Sequence, residues 1–118
     1  MRNLKLLLEY DGAGFHGFQR QQGLRTVQGV LEDRFSRLLG EAVHITGAGR
    51  TDAGVHALGQ VANFRTSRPV AIERLPQVLN GALPDDLKVQ ACQEVPPDFH
   101  ARRWAQARTY RYSVVERE

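Results

Sequence analysis

Gly47-Ala48-Gly49-Arg50-Thr51-Asp52-Ala53-Gly54-Val55-His56-Ala57 divides the chain. Val43 to Thr46, just before it, is short and β-like. Gln60 to Arg65, just after it, reads as a strand, with Ala62 and Phe64 alternating against Val61, Asn63 and Arg65. The stretch is therefore a connection between two strands, and that reading decides the fold. It holds three glycines, and Asp52 is the only acidic residue between Glu41 and Glu73. Glycines let a backbone bend sharply and approach a ligand closely. A rigid pair of strands can present a reactive side chain from such a loop. Asp52, with the guanidinium of Arg50 two residues before it, is a candidate reactive group. The same residues also suit an Asx-turn, in which Asp bonds its own backbone and Gly completes the bend.

Working outward, Leu4 to Tyr10 is an apolar run too short for a helix and consistent with a buried strand. Asp11-Gly12-Ala13-Gly14 breaks it. The loop beyond carries Phe15, His16, Phe18, Gln19, Arg20, Gln21 and Gln22. These types stack on bases and bind phosphates, and they also occur in packed surface loops. Thr26 is a helix N-cap, Val27, Val30, Leu31, Phe35, Leu38 and Leu39 follow at helical spacing, and Gly40 supplies the stop. The spacing predicts a helix over 27–39 whose apolar stripe is core. On the other side, Ile72, Leu75, Leu79, Ala82 and Leu83 form a second helical stripe, with Pro76 in its first turn or the helix starting later than the stripe. Leu87, Val89 and Ala91 alternate with Lys88, Gln90 and Cys92, which predicts a half-buried strand. Thr109 to Val115 is β-rich, with Tyr110, Tyr112 and Val114 on one face. The chain then stops at Glu118 with no helix stop or turn signal, so a longer parent chain is expected. The expected fold class is α+β: a mainly antiparallel sheet with two helices packed on one face. The other face would be free for a ligand or a second domain.

Composition bounds the function. With 118 residues, 42% hydrophobic and 25% charged, the chain suits one globular domain. No run approaches the roughly 18 apolar residues of a membrane span, and the N-terminal residues lack the long apolar run of a signal peptide. Cys92 is the sole cysteine, so no intrachain disulfide forms, and one Cys with four scattered His gives no metal spacing. These features predict a cytoplasmic protein with no metal. The formal net charge is +3. Arg20 and Arg25 lie in an acid-free run between Asp11 and Glu32. Arg102, Arg103, Arg108 and Arg111 lie in another between Asp98 and Glu116. Such runs suit a phosphate backbone, with ordinary surface arginine as the alternative.

Glu9-Tyr10-Asp11-Gly12, Gly17-Phe18-Gln19-Arg20-Gln21, Thr26-Val27-Gln28, Gly49-Arg50-Thr51-Asp52-Ala53-Gly54-Val55-His56, Gly59-Gln60-Val61, Leu83-Pro84, Asp98-Phe99-His100-Ala101-Arg102 and Tyr110-Arg111-Tyr112 occur in this order. Together they resemble the TruA family of tRNA pseudouridine synthases over essentially the whole chain. Phe18 stands where that family often has Trp, and His16 where it often has an aromatic or aliphatic residue. The resemblance implies a ferredoxin-like (RRM-like) half of a two-domain enzyme, residues 1–118 being the N-terminal half and the C-terminal half absent. It implies isomerisation of uridine to pseudouridine on the 3′ side of the tRNA anticodon arm, without metal or cofactor. It places the catalytic carboxylate, nucleophile or base, on Asp52. It places uracil stacking on Tyr110 and contact with the extruded nucleotide on Arg50. Candidate RNA-binding residues are Arg20, Gln19, His56, Arg102 and Arg111. The partner is tRNA, with no membrane, and the full-length chain is expected to be a homodimer. Two alternatives stand beside the enzyme: a tRNA-binding half-domain lacking its second wall, and an anion nest for free nucleotides.

Overall fold

The computed structural model describes residues 1–49, 57–69 and 71–105. Among the described residues four strands form one open antiparallel sheet: β1 (Arg2–Tyr10), β2 (Thr46–Gly47), β3 (Ala57–Thr66) and β4 (Leu87–Val95), in the order β2-β3-β1-β4. Helices α1 (Val27–Leu39) and α2 (Leu75–Gly81) cover one face. The α+β expectation therefore holds. The expected strand at 109–115 lies outside the described residues. No described helix is long and apolar enough to cross a membrane.

Helix α1 runs as its spacing predicts. Thr26 Oγ1 accepts the Gly29 amide at 3.1 Å, and Gly40 closes the helix in the left-handed region at φ 68°. Two amides of its first turn are taken by the preceding loop: Val27 N donates to Gly17 O and Gln28 N to Phe18 O. Val27, Leu31, Phe35 and Leu39 are buried against Leu4, Leu6, Leu8, Ala62 and Phe64 of the sheet, and the Phe35 and Phe64 ring centroids lie 5.5 Å apart. Each such side chain taken from water contributes about 1.5–3 kcal/mol. α2 carries Pro76 at its first helical positions, where the missing amide is harmless, behind a 3-10 turn at Ile72–Arg74.

Three expectations need correction. First, Val43 to Thr46 is not a strand throughout: only Thr46 and Gly47 pair with β3, at Asn63 and Ala62. The amides upstream are bound by helix side chains instead, Val43 N by Ser36 Oγ (3.0 Å) and Ile45 N by Glu32 Oε2 (3.0 Å). Second, the alternation of β4 inverts midway. Leu8 pairs with Val89 but Leu7 pairs with Ala91, so Gln90 is an extra residue at a bulge. Leu87 and Val89 face the core, but beyond the bulge Cys92 takes that side, opposite Leu6, and Ala91 turns to the other face. Third, the second face of the sheet is not free. Residues 96–105 cross it, ending in a helical turn at 101–105. Asn3 Nδ2 donates to Pro96 O (3.0 Å) and Phe99 O (2.9 Å), and Asn63 Oδ1 accepts the Ala101 amide (2.9 Å). Lys5 Nζ sits 4.6 Å from the Trp104 ring centroid and 5.7 Å from that of Phe99.

Candidate functional site at the foot of the glycine-rich stretch

Phe18 sets the floor of the site. Its ring is buried and lies against Gly47, where a Cβ would come within 2.8 Å of the ring's Cζ. Any side chain at residue 47 would displace the ring, so glycine is required there by close approach rather than by backbone angle. Phe15 is buried as well, edge-on to Tyr10 at 6.0 Å. Of the two readings of this loop, the packed one holds for both aromatics: neither ring is presented for stacking on a base.

A network anchored on α1 holds the chain on its way into the glycine-rich stretch. Gln28 Oε1 accepts the Arg20 amide (2.8 Å), and Gln28 Nε2 donates to Ile45 O (2.9 Å). The Glu32 carboxylate accepts Arg20 Nε at 2.8 Å as well as the Ile45 amide. On the strand side, Ala48 N donates to Val61 O (2.8 Å) and Gln60 Nε2 to Gly49 O (2.7 Å). The entry to the stretch is thus tied down from both sides by directed bonds.

Above this floor opens a mostly polar cavity of about 180 Å³. Gln19, Gln28, Thr46, Gly47, Gly49, His100 and Arg102 reach it from four separate segments. Gln19 and Arg102, both predicted from sequence, meet here. Arg20 is beside them, but its guanidinium is turned to Glu32 and to Gly29 O. Asp52, Arg50, His56, Tyr110 and Arg111 lie outside the described residues. His100, Gln28 and Thr46 were not singled out as contacts from sequence. The spacing of His100 and Arg102, two apart on either side of the buried Ala101, is the signal that was available for His100.

The electrostatics separate the two basic runs. Arg25 makes a two-pronged pair with Asp86 (2.8 and 3.0 Å), donates to Gly14 O and lies 4.2 Å over the Phe15 ring. That pairing raises the Arg25 pKa and holds the Asp86 carboxyl below its ordinary value. Arg20 is paired with Glu32. Arg102 and Arg103 are exposed, and among the described residues neither has an acidic partner. The chemistry on offer is cationic and amide donors around a small polar space, suited to an anionic, hydrogen-bonding ligand. Cys92 offers no competing nucleophile, because burial pushes its thiol up to about 11.

A profile described as tRNA pseudouridine synthase matches residues 7–102. The chain is 50% identical over 114 residues to the tRNA pseudouridine synthase A of Acetivibrio thermocellus, covering 97% of this chain and 47% of that protein. It is 51% identical over 117 residues to that of Chlorobium luteolum, covering 98% and 46%. It is 44% identical over 118 residues to that of Caldicellulosiruptor bescii, covering 100% and 48%. The chain spans about half the length of these curated relatives. With the profile lying over most of the sheet, both helices and the cavity-lining residues, the chain belongs to the TruA family of tRNA pseudouridine synthases.

Proposed function

We propose that this chain is the aspartate-bearing half of a tRNA pseudouridine synthase that acts on uridines of the anticodon arm. The observation that carries the reading is the whole-chain match to tRNA pseudouridine synthase A proteins at 44–51% identity. The reaction breaks the bond from uracil N1 to the sugar, rotates the base and joins C5 to the same sugar carbon. The C5 hydrogen leaves as a proton and N1 gains one, so atoms balance without an oxidant or a cofactor. Asp52 supplies the carboxylate as nucleophile or base. Arg50 contacts the displaced nucleotide and Tyr110 stacks on the uracil. A uridine in a stem must first leave the helix, at a cost of a few kcal/mol that stacking and phosphate contacts offset. Gln19, Arg20, His56, Arg102 and Arg111 contribute to RNA binding. The second half of a full-length chain completes the cleft, and two such chains pair as a cytoplasmic homodimer.

The test is tritium release from tRNA labelled at uracil C5, with this chain and its Asp52→Asn form, beside a chain of the relatives' full length. Release by the parent and none by Asp52→Asn supports the reading. Release that persists undiminished in Asp52→Asn refutes the role of that carboxylate. The chain's length, about half that of its relatives, favours one second reading: an RNA-binding half that turns over only with its complement. Release by the full-length chain alone, with tRNA binding by both, would establish it.

A further inference from the structure

The cavity draws His100 and Arg102 from a segment that is neither helix nor strand over 96–100 and makes one helical turn over 101–105. What fixes that segment is a pair of asparagines in the sheet. Asn3 on β1 and Asn63 on β3 are 2% and 4% exposed, and they point to the second face. Asn63 Nδ2 donates to Asn3 Oδ1 at 3.1 Å. Asn3 Nδ2 then donates to the carbonyls of Pro96 and Phe99, and Asn63 Oδ1 accepts the amide of Ala101. The segment's backbone is thereby bonded at three points within six residues, and Ala101 is fully buried. His100 and Arg102 flank that pinned residue. The ring of His100 is oriented in turn: Nδ1 accepts the Arg103 amide at 3.4 Å, which leaves Nε2 as the nitrogen available to a ligand. Arg102 adds an exposed guanidinium with no acidic partner among the described residues.

Buried amides carry a desolvation cost unless every bond is made. Here the bonds are made, and they are spent on the backbone of one segment. We propose that Asn3 and Asn63 are positioning residues for an RNA subsite in which His100 and Arg102 hold a phosphodiester of a nucleotide beside the target uridine. The inference rests on the RNA-modifying reading above. It adds His100 to the RNA contacts and makes the subsite depend on two residues that never touch RNA.

The experiment measures binding of a synthetic anticodon-arm hairpin to this chain by anisotropy over a range of salt, with Trp104 emission recorded alongside. Trp104 is the single tryptophan of the chain and rides on the same segment, so it reports the segment's release. Arg102→Ala is expected to weaken binding about 5–10-fold and to lower the salt slope by about one phosphate contact. Asn63→Ala should do the same, with red-shifted Trp104 emission, and adding Arg102→Ala to it should cost almost nothing more. Asn3→Leu should give a weaker version of the same pattern. If Asn63→Ala only lowers the melting temperature and keeps the parent's salt slope, or if its effect adds fully to that of Arg102→Ala, the positioning role is overturned. Should the asparagine variants not fold, hydrogen exchange in the parent decides. RNA must slow exchange at the Ala101 amide, and unchanged exchange refutes the subsite. A parent that binds no hairpin at any salt brings down the RNA reading itself, whereas a binding parent indifferent to Arg102→Ala brings down this inference alone.

Discussion

Two runs of this chain look alike on paper and differ in space. Residues 12–31 and residues 99–105 are both basic and free of acids. In the first, Arg20 and Arg25 are neutralised by Glu32 and Asp86, and the aromatics are buried. In the second, Arg102 and Arg103 stay exposed without an acidic partner among the described residues, and the backbone is pinned to the sheet. The first run spends Arg20 and Arg25 on ion pairs within the fold and brings Gln19 to the cavity, whereas the second leaves its two described arginines open. Counting charges along a window cannot tell them apart, because the neutralising carboxylates come from elsewhere in the chain: Asp86 is 61 residues from Arg25.

The sharpest way to break this contrast is to damage the scaffold. Phe18→Ala removes a buried ring and should cost about 3–5 kcal/mol in urea unfolding, whatever it does to RNA binding. Gly47→Ala presses a methyl into the same ring and should cost about 1–3 kcal/mol, with partial rescue by Phe18→Leu. A cost under about 0.5 kcal/mol for both would mean that the floor of the cavity is not packed as described.

Next in size is the comparison of arginines. Arg102→Ala should weaken hairpin binding by about 5–10-fold with little change in stability, as one lost phosphate contact does. Arg25→Ala should do the reverse: affinity within about twofold of the parent, and stability lower by at most about 1 kcal/mol, since its pair with Asp86 is partly exposed. Equal losses of affinity in the two variants would erase the distinction between the runs.

A smaller effect comes from pH. The Arg25 guanidinium holds the Asp86 carboxyl below its ordinary value of 3.8. A lowered carboxylate pKa stabilises the fold fully above the unfolded-state value and loses that contribution as pH falls below it. The parent should therefore lose stability below about pH 4, and Arg25→Ala should show a shallower dependence in that window. Melting curves of both between pH 2 and 6 check the sign. The smallest change should be Arg37→Ala, which removes an exposed pair with Asp33 at 3.5 Å on α1. Such pairs contribute about 0.3–0.5 kcal/mol, so it serves as the surface control.

Much of the fold was legible because it follows from local chemistry. Helix α1 was read to the residue, since a Thr cap, a 3.6-residue apolar stripe and a Gly stop act within one element. Pro76 limited where α2 could start, and the helix begins at Leu75, later than the stripe that opens at Ile72. Asp52 and Arg50 were picked out by residue type in the glycine-rich stretch and by resemblance, as was Arg102 in the basic run that follows β4. The unread parts depended on partners distant in sequence. β4 changes face at Gln90 because its register is set by β1, not by its own alternation. Val43 and Ile45 look like strand residues, but Ser36 and Glu32 take their amides before a neighbouring strand can.

The local code thus settled helix α1, the strand character of β1, β3 and β4, and that the class is α+β. Short-range periodicity, capping and turn chemistry suffice for that. Which arginines remain available to a ligand, which aromatics are buried, and where His100 stands depended on long-range pairing. Hydrogen bonds and ion pairs act over a few ångströms in space, and the chain brings Asn3 to Phe99 and Arg25 to Asp86 only once the sheet has closed.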